Sequence, residues 1–442
     1  MTLVKNLTIV TMNQRREIIE DGALEFTDDQ ISAIGKSADF PDRSDAIDGT
    51  GMVALPGLID THSHADQSLL RGLGDQMHWV PFLQKVVDPY LAKRSATHSV
   101  LSNTLSMVEM IKSGTTAFVS PNTDPRDTMS ALAQASAKVG IRSIFCRFTT
   151  AQDDWASLVA RFEDWSSSGS SLVDVWFGLD IPRVMGDRAH PDFYRRVKEQ
   201  SERLGVGIVY HFCSEFEDAA FMVNEFGMTP AEWSRANHVL GNNVILINGC
   251  QMTTQEIDIL AETETHLSHS PVANMKMATG ILPASDVLHA GVNVGLGTDG
   301  ALNNNSYDMF FEMKCACLLQ NSTKRSARAL MPEQALEMAT VNGARAIGRD
   351  DLGSLEVGKQ ADCILVDMAS ARTKPIHDVV SNLVFSASAS QVRHVFIAGR
   401  QVVKNYVVQG LSEPDLLAQA DAVADEIKAI TAEKRESLWP KI

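Results

Sequence analysis

The chain has 442 residues, 44% of them hydrophobic and 21% charged, which suits one large domain with an appendage and buries a sizeable core without disulfides or structural metals. Its 55 acidic and 39 basic side chains leave a formal net charge of -16, which argues against a phosphate backbone or an anionic membrane as partner. Met1 to Asn6 lacks the apolar stretch of a signal peptide, no run approaches the ~18 apolar residues of a membrane span, and the six cysteines (Cys146, Cys213, Cys250, Cys315, Cys317 and Cys363) show no CxxC spacing, so a cytoplasmic protein with reduced thiols and a small-molecule partner is expected.

The first fifty-odd residues read as short strands: apolar runs at 7–12 and 22–26 are broken by Asp-Asp and Asp-Gly. The middle alternates short apolar strands with amphipathic helices. Eight strands are expected near 55–64, 115–120, 142–148, 174–180, 207–213, 244–249, 265–270 and 292–298. Between them, 100–111 carries Leu101, Leu105, Val108 and Ile111 on one helical face, and 332–347 is rich in Ala, Leu and Met. Eight parallel strands with crossover helices close into a (β/α)8 TIM barrel. The competing doubly wound sheet lacks its Gly-rich dinucleotide loop after the first strand. The chain from 362 to 410 again reads as strands, and 414–434 as one surface helix. The expected organisation is a small β-sandwich built from both ends (1–54 and 351–412), a barrel over 55–350, and a helical tail over 413–442.

The sharpest local feature is Asp60-Thr61-His62-Ser63-His64. Residues two apart on a strand point the same way, and imidazole is a common ligand of zinc and iron. By itself His-x-His also describes two unrelated histidines. The barrel sharpens it, because active sites sit at the C-terminal ends of the strands. His211 ends the fifth strand and Asp299 the eighth. A carboxylate after so apolar a strand needs partners; a helix N-cap is the alternative role for Asp299.

Motifs along nearly the whole chain carry a resemblance. They are Leu55-Pro56-Gly57-Leu58-Ile59-Asp60-Thr61-His62-Ser63-His64, Leu69-Leu70-Arg71-Gly72, Ser113-Gly114-Thr115-Thr116, His269-Ser270-Pro271 with Asn274, and Gly297-Thr298-Asp299-Gly300 with Asn304-Asn305. Ala339-Thr340-Val341-Asn342-Gly343-Ala344 and the run from Gly353 to Asp362 complete the set. In this order they resemble the amidohydrolase superfamily, in the branch of cytosine-deaminase-like and triazine-hydrolase-like enzymes. The resemblance implies the barrel, the two-ended β domain, an assembly of two or more copies, and one divalent metal, zinc or alternatively iron, at His62, His64, His211 and Asp299. Relatives with two metals use a carboxylated lysine near the fourth strand; none stands between Asp174 and Asp180 here, which favours a single ion.

The implied chemistry is hydrolytic. A divalent cation lowers the pKa of bound water to about 7 and so yields hydroxide at neutral pH. Asp299 both touches the ion and takes the proton. A carboxylic acid then protonates the leaving nitrogen. The family places a Glu three residues after the fifth-strand His; here that position is Ser214, and Glu215 follows it. A bulge would restore its direction, Glu217 is the fallback, and a helix-start acid is the plain alternative. The family also places a His at the end of the sixth strand, where this chain has Asn248, which carries no proton. His269, ending the seventh strand, is a further catalytic candidate or a structural one. Gln67 could read an amide edge, Trp79 could stack on a ring, and Asn303, Asn304 and Asn305 could bind substrate or cap the next helix.

The expected function is removal of ammonia or an amine from a purine, pyrimidine or triazine. The first alternative is a hydrolase expelling another group, such as chloride, which needs no proton. The second is a metal-binding homologue without turnover.

Overall fold

The computed structural model describes residues 1–122, 128–150, 153–167, 172–185 and 190–431. The strands in chain order are β1 (Thr2–Val10), β2 (Ile18–Thr27), β3 (Gln30–Lys36), β4 (Ile47–Asp48), β5 (Met52–Pro56), β6 (Leu58–Asp60), β7 (Ser63–His64), β8 (Thr115–Asn122), β9 (Arg142–Phe148) and β10 (Val173–Asp180). They continue as β11 (Ile208–Phe212), β12 (Val244–Asn248), β13 (His266–His269), β14 (Val294–Leu296), β15 (Asp299–Gly300), β16 (Cys363–Asp367), β17 (Val392–Ile397), β18 (Arg400–Lys404) and β19 (Val407–Val408).

Strands β6 and β8 to β14 lie parallel in sequence order. The seam between β14 and β6 is joined by the Thr61 backbone N–H, which donates to the Leu296 carbonyl at 2.8 Å, and by the Thr61 hydroxyl, which donates to the same carbonyl at 2.9 Å. The result is a (β/α)8 TIM barrel. Both chain ends meet in a nine-stranded sheet ordered β19-β18-β17-β16-β5-β1-β2-β3, with β4 beside β1. Antiparallel pairing of β5 with β16, Leu55 opposite Ile364, stitches one end to the other. Period-two alternation gives this sheet two buried faces. Val53, Leu55, Ile364 and Val366 join the barrel's main core. Met52, Ala54, Cys363 and Leu365 pack in a separate core with Val4, Leu24 and Phe396.

Three elements differ from the sequence expectation. The single strand at 55–64 is divided: its first residues belong to β5 of the end sheet, and the barrel strand proper starts at Leu58. Gly57 makes the joint, because a Cβ there would sit 2.0 Å from the Thr116 hydroxyl oxygen. The helix at 332–347 is two helices, Pro332–Met338 and Val341–Ala346. They part where the Ala339 carbonyl accepts the Ile59 N–H at 2.9 Å, tying the break to the barrel strand. The tail helix runs over Glu413–Ile430; residues 432–434 lie outside the described residues. It is not only a surface helix, since Ile427 is buried in a cluster with Phe82, Val86 and Tyr90. The six cysteines form no disulfide, and no described helix is long and apolar enough to cross a membrane.

Candidate active site

Asp60 sets the geometry of the barrel mouth. It is fully buried, and its Oδ1 accepts the backbone N–H of His62 and of Thr298, each at 3.1 Å. One carboxyl group therefore pins the ends of the first and eighth barrel strands together. Beyond it the chain bends and resumes as β7, which pairs parallel with β15, Asp299 opposite Ser63 and Gly300 opposite His64. The Asp299 N–H donates to the His62 carbonyl at 2.8 Å. So His62 and His64 are placed beside Asp299 by a bend and a two-residue ladder, not by a continuous strand. Asp299 has φ of 59°, a left-handed conformation that Asp tolerates better than most residues. Gly300 is needed at the next position, since a Cβ there would lie 1.9 Å from Gln67 Oε1.

The Nε2 atoms of His62 and His64 lie 3.4 and 3.6 Å from Asp299 Oδ1. His211 arrives from β11, and one ligand atom from each of the three histidines lies within 4.8 Å of the others. The structure thus brings together the four residues that the sequence singles out. Neither ring nitrogen of buried His62 has a hydrogen-bond partner among the described residues. Burial pushes His62 down to about 4, against the pull of Asp299, and lowers His64 as well. Asp299 is lowered in spite of its burial, by its contacts with His62, His64 and Asn303. Neutral imidazoles with free lone pairs beside an ionised carboxylate are the protonation states a divalent cation requires. The donor set fits zinc or iron.

The sequence reading passed over Asp180. Its Oδ1 lies 2.7 Å from His211 Nδ1, and the two residues face each other across β10 and β11. Burial alone would lower His211; the hydrogen bond and charge of Asp180 reverse this and raise it. With Nδ1–H donated to Asp180, Nε2 is the atom left for a ligand. The Phe148 ring stacks on His211 with centroids 5.5 Å apart. The available signal was position: Asp180 ends the fourth barrel strand, where functional side chains concentrate.

A cavity of about 650 Å3 opens onto His64 and His211. Its wall includes Val80, Leu83, Gln84, Val87 and Leu91, at helical spacing in the run from Trp79 to Lys93, together with Phe148, Val184 and Met185. Gln67 and Trp79 line it, as does Asn303. Trp79 also stacks on Phe82, centroids 5.9 Å apart.

The other sequence candidates fall elsewhere. Asn304 is not on the cavity; its amide donates to the Thr298 carbonyl and, at 2.7 Å, to buried Glu312, which braces the turn behind Asp299. The helix that follows is capped by Asp308, not by an Asn, through the Phe310 N–H at 2.9 Å. Asn305 accepts from Lys276. Asn248 is buried, not free to meet substrate: its amide donates to Ser214 Oγ at 2.7 Å and its Oδ1 accepts from Asn274 at 2.9 Å. Glu215 pairs with Arg183 at 3.1 Å and starts the helix Phe216–Phe226; burial raises its carboxyl, which Arg183 partly offsets. Exposed Glu217 lies in the first turn of that helix. His269 is fully buried off the cavity, with neither ring nitrogen partnered among the described residues, and burial pushes it down to about 3.

Comparison with known proteins decides the family. The amidohydrolase family model matches residues 53–402, which spans the barrel and, of the end sheet, β16, β17 and parts of β5 and β18. The chain belongs to the amidohydrolase family. This amidohydrolase is 32% identical over 430 residues to a protein of Methanosarcina acetivorans named 5'-deoxyadenosine deaminase, covering 97% of this chain and 98% of that one. It is also 32% identical over 426 residues to a 5-methylthioadenosine/S-adenosylhomocysteine deaminase of Moorella thermoacetica, covering 94% and 97%. A crystal structure of an adenosine deaminase from Xanthomonas campestris with bound zinc superposes with a TM-score of 0.90 at 26% identity, covering 97% of this chain and 98% of that one. The amidohydrolase is a hydrolase, and its barrel mouth carries a histidine cluster that could hold a metal ion.

Proposed function

We propose that this amidohydrolase is a zinc-dependent aminohydrolase that removes ammonia from the ring of a purine nucleoside or a comparable nitrogen heterocycle. The observation that carries the reading is the convergence of His62, His64, His211 and Asp299 where a cavity of about 650 Å3 opens onto His64 and His211. The deaminase names of relatives covering almost the whole chain support it.

His62, His64 and His211 would hold the ion through ring nitrogens and Asp299 through its carboxylate. When bound, a divalent cation supplies a Lewis acid that makes water a competent nucleophile at neutral pH. The chain does the rest. Asp180 locks the tautomer of His211. Asp299, ionised in its buried site, accepts a proton from the attacking water. The aromatic faces of Trp79 and Phe148 and the aliphatic wall around Leu83 and Val87 orient a flat ring and exclude competing water. Gln67, whose side chain lines the cavity, offers an amide to the ring edge. The cavity exceeds a lone heterocyclic base, which favours a base with an attached group.

The test is ammonia release by the zinc-loaded protein from adenosine, 5'-deoxyadenosine, 5'-methylthioadenosine, cytosine and an amino-s-triazine. Turnover of at least one, lost in His62→Ala, is expected. No ammonia from any of them at one zinc per chain would overturn the reading. Release of chloride from a chloro-heterocycle is the second reading, favoured by the neutral Ser214–Asn248 pair beside the site.

A further inference from the structure

The histidines of the site are not held alike. His211 lies within β11, which pairs with β10 on one edge and β12 on the other, and Asp180 fixes its ring. His64 ends the two-residue strand β7. Among the described residues its ring makes no hydrogen bond, Asp299 Oδ1 lying 3.6 Å from Nε2. Where that ring stands is therefore set by what holds the backbone of β7. On the edge facing β8, side-chain hydroxyls do so: Ser63 Oγ donates to the Val119 carbonyl and Ser120 Oγ accepts the Ala65 N–H, each at 3.1 Å.

The other edge faces β15. Parallel strands exchange evenly spaced backbone bonds, and the Asp299 N–H to the His62 carbonyl is one of them. Two residues along, the same pattern matches the Ala301 N–H with the His64 carbonyl. The Tyr307 hydroxyl bridges those two groups, donating to the carbonyl at 2.8 Å and accepting the N–H at 3.3 Å. Ser106 Oγ stands 3.2 Å from the same oxygen. The phenol is fully buried, and its backbone is tied down from behind. The Tyr307 N–H donates to Glu109 Oε1 at 3.0 Å, and the Tyr307 carbonyl accepts the Ser113 hydroxyl at 2.7 Å. Glu109 lies near the end of the helix Ala96–Lys112, and Ser113 caps it. One oxygen atom thus clamps the strand carrying His64 to the strand carrying Asp299, from a helix that supplies none of the four candidate ligands.

We propose that Tyr307 is a positioning residue for the metal ion, its hydroxyl fixing His64 against Asp299. The inference rests on the metal-dependent reading above. A metal ligand must stand within about 0.2 Å of its bonding distance, and the His64 carbonyl oxygen is two bonds from the Cα that carries the ring. Loss of the hydroxyl leaves a buried carbonyl and a buried N–H to find each other or a water, and either rearrangement moves β7 relative to β15.

The experiment uses Tyr307→Phe, which keeps the ring and removes the oxygen. Its zinc dissociation constant is expected to rise about 10–100-fold in a chelator competition, and the visible absorption bands of the cobalt-loaded protein are expected to shift. Ser201→Ala is the control, since the buried Ser201 hydroxyl donates to the Val206 carbonyl at 2.7 Å, ahead of β11 and away from the barrel mouth. It is expected to lower the urea midpoint of the metal-free protein while zinc affinity and the cobalt spectrum keep their wild-type values. That separates positioning from the loss of a buried hydroxyl as such. A folded Tyr307→Phe protein with wild-type zinc affinity and an unchanged cobalt spectrum would overturn the inference and leave the function standing; so would an equal loss of affinity in Ser201→Ala. Should Tyr307→Phe fail to fold, a crystal structure of the zinc-loaded wild type decides. The Tyr307 oxygen is expected within hydrogen-bond reach of both the His64 carbonyl and the Ala301 N–H, and absence of either contact overturns the inference. Wild type that retains no zinc after loading overturns the functional reading itself, and this inference with it.

Discussion

The molecule buries charge both at the seam between barrel and end sheet and at the barrel mouth, and the two places are built differently. At the seam, Arg142 of β9 donates to Asp362 at 2.8 and 2.9 Å and to Gln360 at 2.6 Å, while Asp362 also accepts the Ala398 N–H at 2.8 Å. Charge and hydrogen-bonding capacity are matched within the chain. At the mouth, the ring nitrogens of His62 and His269 and the Oε1 of Gln67 have no hydrogen-bond partner among the described residues. Each such group costs about 1–3 kcal/mol when left dry. The seam behaves as structure, complete in itself; the mouth keeps polar groups open that a ligand completes.

That contrast can be broken experimentally, beginning where the effect is largest. His62→Ala or Asp299→Ala is expected to abolish both retained metal and hydrolysis while leaving the far-ultraviolet circular dichroism spectrum intact; retained activity in either would place the chemistry elsewhere. Arg142→Met leaves Asp362 buried without its cation and is expected to lower unfolding free energy by about 3–5 kcal/mol in a urea titration, with zinc content per folded chain unchanged. Asp180→Asn removes the charge that orients His211 and is expected to weaken zinc affinity about 10–100-fold in a chelator competition, with far less effect on stability.

The smallest effect is a pH dependence. Burial pushes His266 down to about 4 from an ordinary 6.5, against its hydrogen bond to the Asn242 carbonyl. Above 6.5 both folded and unfolded chains keep this ring neutral and its contribution is whole. As pH falls from 6.5 toward 4 the unfolded chain takes up the proton first, so wild-type stability drops by up to about 1.4 kcal/mol per pH unit. Denaturant titrations of metal-free wild type and His266→Gln should diverge in that window and run parallel above it. Parallel curves throughout would show that His266 is solvated.

Much of this was legible in the sequence. The eight barrel strands follow from apolar runs at regular spacing, and His62, His64, His211 and Asp299 stand out because each follows or closes an apolar run. What stayed hidden is relational. That 55–64 divides at Gly57 depends on Thr116 packing against it, and that 332–347 breaks depends on a bond from Ile59. Asp180 carries no local mark; its role appears only when β10 lies beside β11. Glu215 looks like an available acid until Arg183, thirty-two residues earlier, is seen to hold it. Local pattern reports periodicity and burial, whereas pairing across the barrel reports which polar groups are already satisfied.

The central claim is met most directly by metal analysis of the purified protein beside its His211→Ala variant, each dialysed against a weak chelator and read by inductively coupled plasma mass spectrometry. About one zinc or iron per wild-type chain is expected, with little left in the variant. An ion held equally by both proteins, or by neither after loading, would contradict it.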